Sequence, residues 1–270
     1  MSLFFAYVVN NNSNTVSVID TVTNKVVANI SLGTSPKGIA VTRDGKFAYV
    51  TNPLANTVSV IDTATNTLVG SPIPVGSFPE GIAITPDRKY TYVTNTGSDT
   101  VSVIDNATNV VVGSATPVGK QPAGIAFIPS GKRAFVVNSL SFTVSVIDAA
   151  TNAVIATIPV GAQPYCVAIT PNGKHAYVAN VVFNAVSVID TATNAVVATV
   201  PVGAPVVVAI TPNGEYLYVS TNANSVSVIK TATNKVVGAR FPWERIHGGW
   251  RSRRTGNVSA SRIFCRTMYR

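Results

Sequence analysis

The 270-residue chain is 46% hydrophobic but only 11% charged, enough apolar mass for a large interior, with Thr, Asn and Ser favouring strands and turns over helices. Its formal net charge of +9 is uneven: residues 1–238 hold 12 Lys/Arg and 10 Asp/Glu, whereas residues 239–270 hold 8 Arg and one Glu. The body is therefore nearly neutral, and no specific nucleic-acid partner is expected of it.

In chain order the first element is a strand ending in Tyr7-Val8-Val9-Asn10, followed by Val16-Ser17-Val18-Ile19-Asp20. The second phrase returns with its Ser at Ser59, Ser102, Ser145, Ser187 and Ser227, at spacings of 42, 43, 43, 42 and 40 residues. The sixth copy ends in Lys230 instead of Asp. The Tyr-Val-x-Asn phrase recurs at Tyr49, Tyr92 and Tyr177, with Phe135 in place of Tyr once and Tyr218-Val219-Ser220-Thr221 in the last copy. A period near 42 of this strand-rich kind marks an array of small sheets.

One unit reads as four strands. Gly38–Thr42 is a short apolar strand, and Asp44-Gly45 is a hairpin turn. Phe47–Asn52 and Thr57–Asp62 follow, joined by Pro53–Asn56. After the turn Thr63–Asn66, a fourth strand is predicted over Thr67–Val75. Short turns make this an antiparallel meander. Both faces are apolar or small, so each sheet needs cover on both sides. Blades of a β-propeller supply that cover, whereas a β-solenoid would lack two tight hairpins per unit. Pro74, Pro117, Pro159 and Pro201 place the fourth strand at the outer edge, because proline donates nothing to a ladder. The predicted fold is all-β: a propeller of four-stranded antiparallel blades in six repeats, either six-bladed or an incomplete seven-bladed ring. The repeats fill 1–238, and the Arg-rich 239–270 is read as a disordered or non-native tail.

Tyr49-Val50-Thr51-Asn52 and Tyr92-Val93-Thr94-Asn95, with the Pro-x-Gly-Ile-Ala, Thr-Pro-Asp/Asn-Gly and Ser-Val-Ile-Asp phrases, closely resemble the YVTN-repeat β-propellers of archaeal and bacterial surface-layer proteins. The resemblance covers about residues 5–238. It implies a propeller, usually seven-bladed, in extracellular or cell-envelope proteins that often lack enzymatic activity. Related propellers include lactonases and haem-binding domains, so the fold alone does not fix the function. The family commonly closes its ring with a C-terminal Gly-Ile-Ala strand lent to the first blade. This chain starts at a second strand, and Arg240-Phe241-Pro242-Trp243 stands where the Ile-Pro-Val-Gly phrase is expected.

Alternating strands sort the loops onto two faces. One face repeats Thr-Pro-Asp/Asn and Asp-Thr-Ala-Thr-Asn turns, the fixed grammar of the fold. The other varies, and variable loops carry recognition. Its candidate binding residues are Lys37, Glu80, Gln121, Gln163 and Tyr165, expected at the channel mouth, and Phe78, Phe142 and Phe183, expected as an apolar patch. The expected partners are a protein or a glycan. Asp20, Asp62, Asp105, Asp148 and Asp190 are read as turn caps instead of calcium ligands, because hard cations need several convergent oxygens. No catalytic set, metal site or cofactor is expected: His175 lies on the constant face, His247 in the tail, and no Ser/His/Asp set is visible. Cys166 and Cys265 make no disulfide framework and no metal spacing, and Cys166 at a repeated glycine position reads as core. The alternative is a lactonase-like or lyase-like enzyme working at the channel mouth, where Glu80 and Asp99 are the acids. No stretch approaches the ~18 apolar residues of a spanning helix, and Met1–Phe5 lacks the pattern of a signal peptide.

Overall fold

The computed structural model describes residues 5–33, 35–237, 241–246 and 249–252. The chain divides into two compact units, Met1–Pro117 and Val118–Arg270, each carrying three antiparallel sheets.

In the first unit, the first sheet has three strands, Phe5–Asn10, Thr15–Asp20 and Lys25–Ser31. The second runs Ile39–Val41, Phe47–Asn52, Thr57–Asp62, and the third Pro79–Ile84, Tyr90–Asn95, Thr100–Asp105. Their predicted continuous fourth strand is broken into two short pieces, Thr67–Leu68 with Ile73–Pro74 and Val110–Val111 with Thr116–Pro117. The cause lies in Gly70 and Gly113, whose φ of 63° and 69° turn the chain out of the ladder between the pieces.

In the second unit, the fourth and fifth sheets keep four unbroken strands, ending in Val154–Pro159 and Ala195–Pro201. The sixth contains Pro205–Ile210, Tyr216–Thr221 and Ser225–Lys230. Phe241 and Pro242 pair with Val226 and Ser225, the register that Ile73 and Pro74 take against Val58 and Thr57. The backbone of the tail thus continues the outer-strand pattern at this point.

The apolar core lies between adjacent sheets. Within the first unit, Tyr49, Val58 and Val60 of the second sheet meet Ile82, Val93 and Ile104 of the third. Within the second unit, Phe135, Val144 and Val146 meet Val167, Ala176 and Val178. Both faces of a sheet are buried in this way, which explains why the strands lack polar–apolar alternation.

Four of the five first strands bulge after their proline, for example between the Asn95–Pro79 and Val93–Ile82 pairs. The bulge diverts the Gly81 amide, which donates instead to Thr94 Oγ1 at 2.7 Å. Thr51 does the same for Gly38 at 2.8 Å. This is the work of Thr in the Tyr-Val-Thr-Asn phrase. The Asn amide then donates to hydroxyls on the neighbouring strand: Asn95 Nδ2 to Ser102 Oγ at 2.9 Å and to Thr100 Oγ1 at 3.0 Å.

The tyrosine ties one sheet to the next. Tyr49 donates its hydroxyl to Asn109 Oδ1 at 2.9 Å, 60 residues on. Tyr177 donates to Asn234 Oδ1 at 2.8 Å. The acceptor each time is the last Asn of the turn after the next sheet's third strand, Asp105–Asn109 and Lys230–Asn234, in left-handed conformation. Phe135 brings no hydroxyl, and Asn194 Oδ1, at the matching turn of the following sheet, is buried without a partner. Phe135→Tyr is therefore expected to raise stability by about 1 kcal/mol, and Tyr177→Phe to lower it by about 1–2 kcal/mol, as read from urea unfolding. The joint also predicts alkaline sensitivity. Burial pushes the Tyr49 hydroxyl up to about 12, with Asp105 adding to the rise, and burial alone does the same for Tyr177. The native state then holds protons that the unfolded chain has released, so stability falls as pH rises from about 10 to about 12. Tyrosinate absorbance at these positions should appear together with unfolding.

Candidate functional site

The constant face is built for turns. Asp20, Asp62, Asp105, Asp148 and Asp190 each accept two backbone amides of the following turn on Oδ1, at 2.7–3.2 Å. The amides of Thr23 and Val22 hold Asp20 below the usual carboxylate range, and those of Thr65 and Ala64 do so for Asp62. These oxygens are used by the fold, and among the described residues no three of His, Cys, Asp and Glu converge. His175 pairs across the ladder with Asp190 on this same face. Cys166 is wholly buried in the core, so it offers no accessible nucleophile.

In the first unit, the variable face brings three of the expected residues together. Lys37 Nζ lies 2.5 Å from Glu80 Oε2 and 5.8 Å from the centre of the Phe78 ring. Thr96 Oγ1 donates to the same carboxylate at 3.4 Å. Glu80 is 5% exposed, so the carboxylate expected at an open mouth sits under cover. The packing of the preceding sheet contributes: Gly38 lets the backbone at Glu80 come close, since an added Cβ would lie 2.3 Å from the Glu80 carbonyl oxygen. Phe78 remains exposed over the pair.

In the second unit, Phe142 and Phe183 are brought together. The carbonyl of Phe142 accepts the Val160 amide at 2.9 Å, and the Phe183 ring lies over the adjoining Gly161, where a Cβ would meet it at 2.4 Å. With Leu140 and Val182 they form an exposed apolar surface on the second-to-third loops of two sheets. Those two aliphatic residues carry no motif of their own in the sequence: Leu140 lies two residues before Phe142, and Val182 lies between Val181 and Phe183. Gln121 and Gln163 are exposed beside these loops, and their carbonyls accept the amides of Ser139 and Val181, each at 2.9 Å. Tyr165 goes elsewhere: it is half-buried and packs against the cluster of Cys166, Val208 and Leu217.

Backbone strain is concentrated on this face. Phe78, Gln121, Gln163 and Ala204, each just before a proline, have φ of 43–53°. Where the preceding loop supplies Asn, that turn is capped: Asn56 Oδ1 accepts the Phe78 amide at 2.8 Å, and Asn184 Oδ1 the Ala204 amide at 2.9 Å. The corresponding residue before Gln163 is Phe142. It adopts φ 56°, the conformation that Asn14, Asn56, Asp99, Asn184 and Asn224 take in the other sheets. A phenylalanine there bears the left-handed penalty and has no oxygen to cap with.

The model of the seven-bladed β-propeller lactonase family matches residues 81–237, more than half of the chain. The chain belongs to that family. The model of the YNCE-like β-propellers matches residues 4–88 of this lactonase-family chain. Among solved structures, it is similar to hydrazine synthase of Kuenenia stuttgartiensis, with 25% identity and a TM-score of 0.78, over 88% of this chain and 83% of that one. A protein of unknown function from Desulfotomaculum acetoxidans is similar at 22% identity and a TM-score of 0.77, over 87% and 78%. No curated protein matches the chain. The lactonase-family membership and the repeated four-stranded sheets establish the β-propeller fold that the phrase repeat predicts.

Proposed function

We propose that the protein is a non-enzymatic propeller of the cell surface or envelope that binds a protein or glycan partner on its variable loop face. The observation that carries this reading is Phe142. An exposed aromatic in a left-handed turn, at a position where other copies place Asn or Asp, is costly to the fold. Strain of this kind collects at binding sites, where the side chain is worth its cost. Phe183 lies beside it, and the surface is apolar with exposed amide side chains nearby, a composition that serves stacking on a sugar ring or packing on a protein. The surface-layer resemblance supports the cellular setting.

A glycan array and immobilised envelope proteins are the probes. The full chain is expected to bind a subset of one of them, and Phe142→Ser/Phe183→Ser to lose at least tenfold in affinity with its fold intact by circular dichroism. Equal binding by that variant would reject the assignment. A second reading, hydrolysis of a lactone, is favoured by the name of the family and by the buried Glu80–Lys37 pair. In that reading Glu80 would serve as the base and Lys37 would hold the carbonyl oxygen.

A further inference from the structure

The two phenylalanines of the second unit's variable face also take away two hydrogen-bond acceptors. In the first unit, the connection leading into the third sheet has two successive amides after Val75-Gly76, and both are capped. Ser77 donates to Ser98 Oγ at 3.2 Å and Phe78 to Asn56 Oδ1 at 2.8 Å. In the second unit, Lys120 follows Val118-Gly119 as Ser77 follows Val75-Gly76, and it donates to Ser141 Oγ at 2.7 Å. After Val160-Gly161 the matching amides belong to Ala162 and Gln163. Phe183 stands three residues after Asn180, as Ser98 stands after Asn95 and Ser141 after Asn138. Phe142 stands where Asn56 does. Neither ring brings an oxygen to accept an N–H. Gln163 nevertheless holds φ 53°, the same as Phe78, so the backbone keeps the capped geometry without the caps. Among the described residues, neither the Ala162 nor the Gln163 amide has a hydrogen-bond partner.

We infer that these two amides receive the acetamido carbonyl of an N-acetylhexosamine unit, a deepening that rests on the binding face proposed above. Successive N–H groups at a left-handed residue form a concave site for one oxygen, whose two lone pairs can take both. The connection is hydrogen-bonded to both neighbouring loops, Val160 donating to Phe142 at 2.9 Å and Phe183 to Ala162 at 3.3 Å. The exposed side chains of Phe142, Phe183, Leu140 and Val182 on those loops suit the acetamido methyl and the face of a sugar ring. A carboxylate or phosphate would also satisfy the amides, but apolar walls penalise its charge, so a neutral carbonyl fits better. The acids of residues 118–237, Asp148, Asp190 and Glu215, sit at constant-face turns. Sugar hydroxyls therefore find no carboxylate of this unit's loops to donate to, and the carbonyl becomes the group that is read.

Titration of the isotope-labelled full chain with the methyl glycosides of N-acetylglucosamine and N-acetylgalactosamine, followed by amide resonances and hydrogen exchange, tests this. Without ligand, the Ala162 and Gln163 amides are expected to exchange faster than those of Ser77 and Phe78. At least one of the two sugars should shift both resonances and slow their exchange. The matching glycosides without the acetyl group, as free amine or as hydroxyl, should bind about tenfold more weakly. In Phe142→Asn/Phe183→Ser the restored oxygens should protect both amides without ligand, and the preference for the acetyl group should vanish. Equal affinity with and without the acetyl group, or binding that leaves the two amides unshifted, would overturn the inference and leave the binding face standing. So would an envelope protein captured through Phe142 and Phe183 with no response to either sugar. A chain that binds neither sugars nor envelope proteins would overturn both.

Discussion

Lys37→Ala is expected to destabilise the protein by about 2–3 kcal/mol, the largest single effect predicted for a charged residue here. The carboxylate of Glu80 is nearly enclosed, and the ammonium of Lys37 touches it at 2.5 Å. Deleting the cation takes the 2.5 Å ammonium contact away from a nearly enclosed carboxylate, which keeps the Thr96 hydroxyl at 3.4 Å. The full cost of breaking an enclosed pair is tempered because the Lys37 side chain keeps 17% exposure. The attraction to the Phe78 ring is lost as well. The control is Lys37→Met/Glu80→Leu, which removes both charges and keeps the volume. It should recover most of the loss, since desolvation offsets most of the gain from such pairs. Chemical denaturation of the three proteins checks the cycle. A double variant as unstable as Lys37→Ala would show that packing, and not charge, dominates.

Phe142→Asn is expected to act in the opposite direction, stabilising the protein by about 1–2 kcal/mol. Asparagine tolerates the left-handed conformation that phenylalanine bears at φ 56°. Its Oδ1 would also reach the Gln163 amide, as Asn56 reaches Phe78 and Asn184 reaches Ala204. The same substitution should weaken partner binding, because the exposed ring is gone. A gain in stability with a loss in binding is the signature of a residue kept for function at the expense of the fold. Thermal melts and binding isotherms on the same preparations read both effects.

The turn caps were legible because they are local: Asp62 and the amides it accepts lie within three residues. The role of Thr51 and Thr94 was not, since it depends on a bulge thirteen residues away in sequence. The partner of Tyr49 lies 60 residues on, in another repeat, and only the coordinates pair the two phrases. Glu80 shows a different limit. Its place near the start of a first strand was readable, but its burial depends on how Lys37 and Gly38 of the preceding sheet meet it. Phe142 was visible as an aromatic in a variable loop. Its strain became readable only once Asn56 and Asn184 showed what that position normally does.

The choice between binding and catalysis is tested most directly by lactone turnover. The folded chain should be assayed with a panel of γ- and δ-lactones, with and without divalent cations, beside Glu80→Gln. The account predicts no hydrolysis above that of the Gln variant for any substrate. Turnover by the native chain that Glu80→Gln abolishes, in a variant that still folds, would contradict it.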